Sequence, residues 1–148
     1  MNTPIKPLGC TNLKLRQLTR TITRHYDQQL ASIGLKNTQY ALLSHVLRLG
    51  PLRPSELAKA MQMEPSTLTR NMQPLVAHGW LSIGAGGDAR SRAVAITEEG
   101  RLKQQEGREA WQAAQQALHA ELGQERTLAL HALMDDCMQA LNADQDLE

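Results

Sequence analysis

The residues best suited to molecular recognition lie in one short stretch, STLTRNM, at positions 66–72. Its polar side chains are those of Ser66, Thr67, Thr69, Arg70 and Asn71. Hydroxyl, guanidinium and amide groups donate and accept hydrogen bonds, so they suit contacts with phosphates and base edges better than covalent catalysis. Taken alone, the stretch is also typical of a capped surface helix, because Ser and Thr satisfy free N–H groups at helix starts.

A second group of polar residues follows, between two short apolar runs. Residues 80–83 and 93–96 alternate as β-strands do, and the glycine-rich segment between them carries Arg90 and Arg92. This pattern predicts a β-hairpin with arginines at its tip. A two-stranded hairpin is barely stable alone, so we expect it to pack against the preceding helices. An arginine-tipped hairpin after a polar helix favours a DNA-facing role for STLTRNM over a simple cap.

Apolar spacing predicts six helices around these two features. The first covers about residues 11–32, because apolar residues recur there at intervals of three and four. These are Leu15, Leu18, Ile22, Tyr26 and Leu30. Further helices are predicted from about residues 37, 54, 65, 98 and 124, and Thr97 is expected to cap the fifth. Pro74 lies inside the fourth helix, where it predicts a kink or an early end because proline cannot donate to the carbonyl of Arg70.

Composition describes a helical chain with two oppositely charged parts. Among its 148 residues there is no Phe, and only two Tyr and two Trp, so Leu, Met, Val, Ile and Ala must build the core. Residues 1–92 carry 12 Lys and Arg against 4 Asp and Glu, a net charge of +8, whereas residues 93–148 carry 4 against 11, or −7. This asymmetry suggests a surface that meets a polyanion, or charges spread unevenly over solvated faces.

The sequence lacks the signatures of several other protein classes. It contains no nucleophile elbow, phosphate loop, HExxH or paired-carboxylate motif, so we expect no enzyme. The two cysteines are far apart and the five histidines show no compact ligand spacing, so we expect neither a metal nor a cofactor. No stretch approaches the roughly 20 apolar residues that span a bilayer, and no signal peptide is visible. A cytoplasmic protein without a membrane partner is the expectation.

The predicted order of helix, helix, turn, helix and hairpin is that of a winged helix-turn-helix. Six pieces of sequence in this order resemble the MarR family of transcriptional regulators. They are LKNTQYALL at 35–43, RPSELA at 53–58, STLTR at 66–70, GWL at 79–81, DARSR at 88–92 and ITEEG at 96–100. The resemblance implies a mainly α fold with a small β-hairpin wing, in which the N- and C-terminal helices form a dimerisation region. The implied divisions are a dimerisation helix at 1–34, a winged helix-turn-helix DNA-binding domain at 35–97 and dimerisation helices at 98–148.

The resemblance also implies a function. It is that of a homodimeric, sequence-specific repressor of a pseudo-palindromic double-stranded DNA operator, released by a small aromatic ligand. The implied DNA contacts are Ser66, Thr67, Thr69 and Arg70 on the recognition helix and Arg90 and Arg92 on the wing. Asn71 joins them because its amide could pair with adenine, and Asp88 matches a wing residue that would orient a nearby arginine.

The sequence does not decide which signal controls DNA binding. An aromatic carboxylate could bind between helices one, two and five, with Arg16 or Arg20 holding the carboxylate and Tyr40 and His45 lining the floor. Alternatively, Cys10 lies near basic side chains that would favour a reactive thiolate, although an inert thiol is the simpler interpretation. A third possibility is a helical protein-interaction module that binds no DNA, whose binding would not weaken steeply with salt.

Overall fold

The computed structural model describes residue 4 and residues 8–84 and 92–143. Within these ranges the predicted order of elements is confirmed. The elements are α1 (Thr11–Leu30), a one-turn 3-10 helix (Ala31–Ile33), α2 (Asn37–Leu49), α3 (Pro54–Ala60), α4 (Pro65–Ala77), β1 (Leu81–Ile83), β2 (Val94–Ile96), α5 (Glu98–Leu122) and α6 (Gln124–Asn142). The fold class is therefore mainly α with a small antiparallel hairpin. Among the described residues, we find no helix with the length and apolarity needed to cross a membrane.

The hairpin is fixed to the helices by a third chain segment. β1 and β2 pair antiparallel with Leu81 opposite Ile96 and Ile83 opposite Val94. Leu52, just before α3, forms a further antiparallel bridge to Val94, with N–H to O distances of 3.1 and 2.8 Å in the two directions. The predicted packing of the hairpin on the preceding helices is thus confirmed, and part of it is backbone hydrogen bonding.

One apolar core holds the central helices and the hairpin together. Its fully buried side chains come from α1, α2, α3, α4 and β2. They are Leu30, Leu42, Leu43, Val46, Leu57, Leu68, Leu75 and Val94. Each such side chain stabilises the fold by about 1.5–3 kcal/mol relative to an exposed position. The winged helix-turn-helix is therefore a packed unit to which the end of α1 also belongs.

α5 lies directly against α2 because Gly107 has no side chain at the point of contact. A Cβ at this position would lie 2.6 Å from Cδ2 of Tyr40 and 3.0 Å from Cδ1 of Leu35. The ring of Tyr40 also stacks on Trp111 of α5, with centroids 6.0 Å apart. The close approach at Gly107 and the stacking of Tyr40 on Trp111 therefore set the position of α5 on the winged helix.

The start of α5 is joined to the end of α4. Thr97 Oγ1 accepts a hydrogen bond from Gly100 N at 3.0 Å, which confirms the predicted cap, and donates to Gly79 O at 2.6 Å. Trp80 contacts two polar side chains at this junction. The His78 ring stacks on it at a centroid distance of 4.4 Å, and Lys103 Nζ lies 5.6 Å from the centre of the indole.

The helix α4 continues through Pro74 to Ala77, so the expectation of an early end is wrong. The carbonyl of Arg70, which Pro74 cannot satisfy, lies in an exposed part of the helix where solvent can hydrogen-bond it. The following turn closes normally, because His78 N donates to Pro74 O at 2.9 Å.

Helices α1 and α6 keep many apolar side chains in solvent. Leu15 and Leu18, predicted on the inner face of the first helix, are 53% and 39% exposed. Others on these two helices are Leu13, Leu128, Leu133, Met134, Met138 and Leu141. Cys137, which also lies on the apolar stripe of α6, is exposed. A single chain therefore does not bury the apolar faces of these two helices.

Candidate nucleic-acid interface

The turn between α3 and α4 sets the direction of the polar helix. Gln62 adopts a left-handed conformation with φ of 51°, which is uncommon for a residue with a side chain. Its N–H donates to Lys59 O at 3.1 Å, and Met63 N donates to Ala58 O at 2.9 Å. Pro65 then occupies the first position of α4, where its missing N–H costs nothing.

The inner face of α4 is anchored by Leu68, Met72 and Leu75, all buried. Because successive residues turn by about 100°, Ser66 and Arg70 lie on the opposite face. Both are exposed, as is Thr69. The structure therefore brings these three predicted contact residues together on one open surface of the helix.

Local hydrogen bonds organise this open surface. Thr69 Oγ1 donates to Pro65 O at 3.0 Å, one turn back along the helix. Arg70 Nη2 lies 3.5 Å from Thr67 Oγ1, the outer limit of a hydrogen bond. The guanidinium of Arg70 therefore keeps most of its donors free for a ligand.

Thr67 and Asn71 lie at the edge of the open surface, where both are half-buried. Asn71 Nδ2 donates to Met63 Sδ at 3.7 Å, which turns the amide toward the α3–α4 turn. In this arrangement the Asn71 side chain supports the turn rather than facing outward.

The predicted wing residues are only partly within the described ranges. Arg92 is exposed and lies two residues before β2. Asp88 and Arg90 lie outside the described residues. Ile83 pairs with Val94, two residues after Arg92. Ile83 also lines one groove with Thr69, so this part of the hairpin borders the polar helix.

Arg53 occupies the start of α3, where a hydroxyl residue would be more usual. Glu56 provides the cap instead, since Arg53 N donates to its Oε2 at 3.1 Å. The Arg53 guanidinium binds Oε1 of the same carboxylate through Nε at 3.1 Å and Nη2 at 2.8 Å. Hydrogen bonding to the Arg53 side chain, and next to its backbone, lowers the pKa of Glu56 from its usual value of 4.5.

The predicted effector residues occupy different environments. Arg16 and Arg20 are exposed on α1. The groove of about 350 Å³ that Arg20 lines consists of α1 residues alone and includes neither Tyr40 nor His45. Tyr40 is buried against Trp111, and His45 Nδ1 lies 2.7 Å from Ala41 O of its own helix. The structure therefore does not gather these four residues at this groove.

A cavity that sequence reasoning missed lies between α1, α5 and α6. It measures about 230 Å³ and is mainly apolar, with Tyr26 and His131 among its lining residues. The Tyr26 hydroxyl donates to Gln115 Oε1, and burial raises the pKa of Tyr26. The rings of His119 and His131 meet edge to face, with centroids 6.2 Å apart. No sequence signal links these residues, because α1 and α6 are distant along the chain.

Cys10, the other predicted candidate, is exposed at the start of α1.

The packed helices, the open polar face of α4 and the adjacent antiparallel hairpin define a winged helix-turn-helix protein of the DNA-binding transcriptional regulator class. Residues 33–91 match the sequence profile of the MarR family. The chain resembles that family over this stretch.

Known relatives agree with this assignment. The HTH-type transcriptional regulator YwoH of Bacillus subtilis is 29% identical over 93 residues, which cover 63% of this chain and 68% of YwoH. The Mycobacterium tuberculosis transcriptional regulator MosR, solved in complex with DNA, is 29% identical with a TM-score of 0.75, covering 90% of this chain and 98% of MosR. BpsR of Bordetella bronchiseptica, whose DNA binding is regulated by 6-hydroxynicotinic acid, shares the fold at 18% identity, with a TM-score of 0.77 and coverage of 92% and 98%.

Proposed function

We propose that this protein is a cytoplasmic, homodimeric repressor that binds a pseudo-palindromic operator and releases it when an effector binds. The observation that carries the proposal is the open face of α4. Ser66, Thr69 and Arg70 point away from the core while the buried face of the same helix fixes their direction. Such a helix can enter the major groove with its polar face against base edges and phosphates.

The individual DNA roles follow from side-chain chemistry. Arg70 carries free guanidinium donors for guanine or phosphate, and Ser66, Thr67 and Thr69 supply hydroxyls. On the wing, Arg92 would contact phosphate and Arg90 would lie in or beside a narrow minor groove, with Asp88 orienting an arginine. Asn71 would have to leave Met63 before its amide could reach a base.

Dimerisation would use the exposed apolar faces of α1 and α6. A second copy related by a two-fold axis can cover both faces at once, since the same patch then serves each subunit. The regions at 1–34 and 98–148 would form the dimerisation part, and 35–97 the DNA-binding domain. A two-fold dimer would also match the two halves of a palindromic operator.

The effector we propose is a small aromatic carboxylate that binds near α1. Arg16 and Arg20 expose guanidinium groups that can hold a carboxylate in bidentate fashion. Tyr40 and His45 would act from the floor of the site, with Tyr40 held in place by Trp111. The regulation of BpsR by 6-hydroxynicotinic acid supports this class of ligand.

A thiol switch at Cys10 is the alternative, favoured by the exposure of this cysteine at the start of α1. A thermal-shift screen of wild type and Cys10→Ser with aromatic acids and with peroxide separates the two signals. We expect aromatic acids to stabilise both proteins and to release DNA from both. Release by peroxide that disappears in Cys10→Ser would assign the switch to the thiol instead.

DNA binding itself is tested by selection from randomised duplexes followed by titration at several salt concentrations. We expect a selected motif with two-fold symmetry and a linear fall of log affinity with log salt, because phosphate contacts release counterions. Arg90→Ala should weaken binding by about 1–3 kcal/mol, mostly at A·T-rich flanks.

Arg108→Ala is the matched control, since it removes an equal charge from an exposed position on α5. It should leave the affinity unchanged. Equal salt slopes and affinities for wild type and Arg90→Ala would reject the wing assignment. Flat salt dependence with no selected motif would favour the protein-interaction module.

A further inference from the structure

The open face of α4 extends beyond STLTRNM to Gln73. This residue is exposed and lies one helical turn after Thr69. At about 100° per residue, it projects within roughly 20° of Ser66, in the sector between Thr69 and Arg70. Gln73 therefore occupies the middle of the surface that the other polar residues form.

Asn71 is placed differently, although it carries the same amide group. At about 100° per residue it projects roughly 140° away from Ser66, toward the buried side of the helix. Its Nδ2 donates to Met63 Sδ, and the residue is half-buried. Of the two amides on α4, that of Gln73 is the one that faces outward.

The surroundings of Gln73 combine free space with an apolar wall. A groove of about 360 Å³ runs beside it along α4 and β1, lined also by Thr69, Val76, Ala77 and Ile83. Val76 and Ile83 are 37% and 40% exposed. Ala77, one turn beyond Gln73, is too small to cover the amide. An amide beside an apolar wall matches an A·T pair, which presents adenine N6 and N7 and a thymine methyl group in the major groove.

We propose that Gln73 is a specificity-determining residue that reads an adenine in the major groove. Its Oε1 accepts a hydrogen bond from adenine N6 while its Nε2 donates to N7. The methyl group of a neighbouring thymine lies against Val76. This inference rests on the proposed function, because it requires α4 to enter the major groove.

Selection from randomised duplexes with wild type, Gln73→Ala and Gln73→Glu tests the inference. Wild type should select adenine at one position of each half-site. Gln73→Ala should keep the rest of the motif and lose discrimination at that position by about 5- to 100-fold. Gln73→Glu should shift the preference toward cytosine, because a carboxylate accepts from cytosine N4.

Gln112→Ala is the matched control, since it removes the same amide from an exposed position on α5. Its base preferences should equal those of wild type, and the melting temperature of Gln73→Ala should equal that of wild type because the side chain is exposed. An unaltered motif at equal stringency in Gln73→Ala would overturn the inference and leave the proposed function intact. Absence of any motif for wild type would instead overturn the proposed function, and this inference with it.

The apolar wall has a separate test. Deoxyuridine in place of thymidine beside the selected adenine removes only a methyl group. We expect wild type to lose about 4-fold in affinity, the value of one buried carbon, and Val76→Ala to lose less. Equal affinity of wild type for both duplexes would overturn the methyl contact.

Discussion

Glu56 supplies the half of a capping box that reaches back to the N–H of the N-cap residue at the start of α3. Its carboxylate accepts from Arg53 N and holds the Arg53 guanidinium with two further hydrogen bonds. The sequence shows Arg53 at a capping position, and its side chain alone is a poor cap. The structure explains why the position works, because the capping group comes from three residues further on.

This carboxylate makes the stability of α3 depend on pH. Hydrogen bonds from Arg53 lower the folded-state pKa of Glu56 below 4.5. Its contribution to the free energy of unfolding is therefore complete above pH 4.5 and is lost as the pH falls through the lower, folded-state pKa. Urea unfolding of wild type and Glu56→Gln should differ at neutral pH and converge in strong acid.

Glu109→Gln, an exposed acid on α5, is the control for this comparison. Its difference from wild type should stay small at neutral pH. A Glu56→Gln difference that persists unchanged into strong acid would show that the ionised carboxylate contributes nothing to the cap.

At the scale of the elements, the turn between α3 and α4 contains a backbone conformation that a glycine would adopt with less strain. Gln62 has a positive φ, and the hydrogen bonds to Lys59 O and Ala58 O keep it there. Left-handed conformations disfavour residues with a Cβ and suit glycine. The chain therefore tolerates a local cost in order to hold α4 at its angle to α3.

Gln62→Gly should raise the free energy of unfolding by up to about 1 kcal/mol, because it removes this strain. Gly34 is the reciprocal control: it has φ of 73° and open space around its missing Cβ, so Gly34→Gln should lose a similar amount. Denaturant unfolding at constant m-value measures both changes. A less stable Gln62→Gly protein would mean that the glutamine side chain itself supports the turn.

Local patterns predicted most of the elements, because the signals lie within a few residues. The spacing that ends at Leu30 predicted α1, and the hydroxyl of Thr97 predicted the cap of α5. The bridge between Leu52 and Val94 was beyond prediction, since it joins distant segments through backbone atoms that carry no sequence signal. The outward position of Gln73 was missed for a different reason: a glutamine on a helix surface is common, and only the burial pattern of α4 distinguishes it from Asn71.

For the whole molecule, the notable feature is the apolar surface of α1 and α6, which the single chain leaves exposed to solvent. Leu133 on α6 is 62% exposed in a single chain and lies among other apolar side chains of that helix. Large apolar surfaces of this kind usually mark interaction sites. The proposed dimer would also explain why apolar spacing on α1 predicted burial that one chain does not provide.

Leu133→Glu should convert the protein to a monomer at micromolar concentration, because it places a charge in the proposed interface. Sedimentation equilibrium measures the mass, and affinity for a two-half-site operator should fall by about 100-fold or more when the halves bind separately. Leu49→Glu is the control and should stay dimeric, since Leu49 is 43% exposed at the end of α2, outside the proposed dimerisation part. A dimeric Leu133→Glu protein would place the contact elsewhere.

The aromatic contacts of α5 with the end of α4 and with α2 have a practical consequence. The chain contains only two tryptophans. Trp80 contacts the His78 ring and the Lys103 ammonium where α4 meets α5. Trp111 stacks on Tyr40 where α5 meets α2. Indole emission depends on the groups around the ring, so intrinsic fluorescence observes both places without any added label. Replacing either tryptophan with phenylalanine leaves the other as the only indole emitter, whose emission then reports any change in the contacts of α5 at that one place.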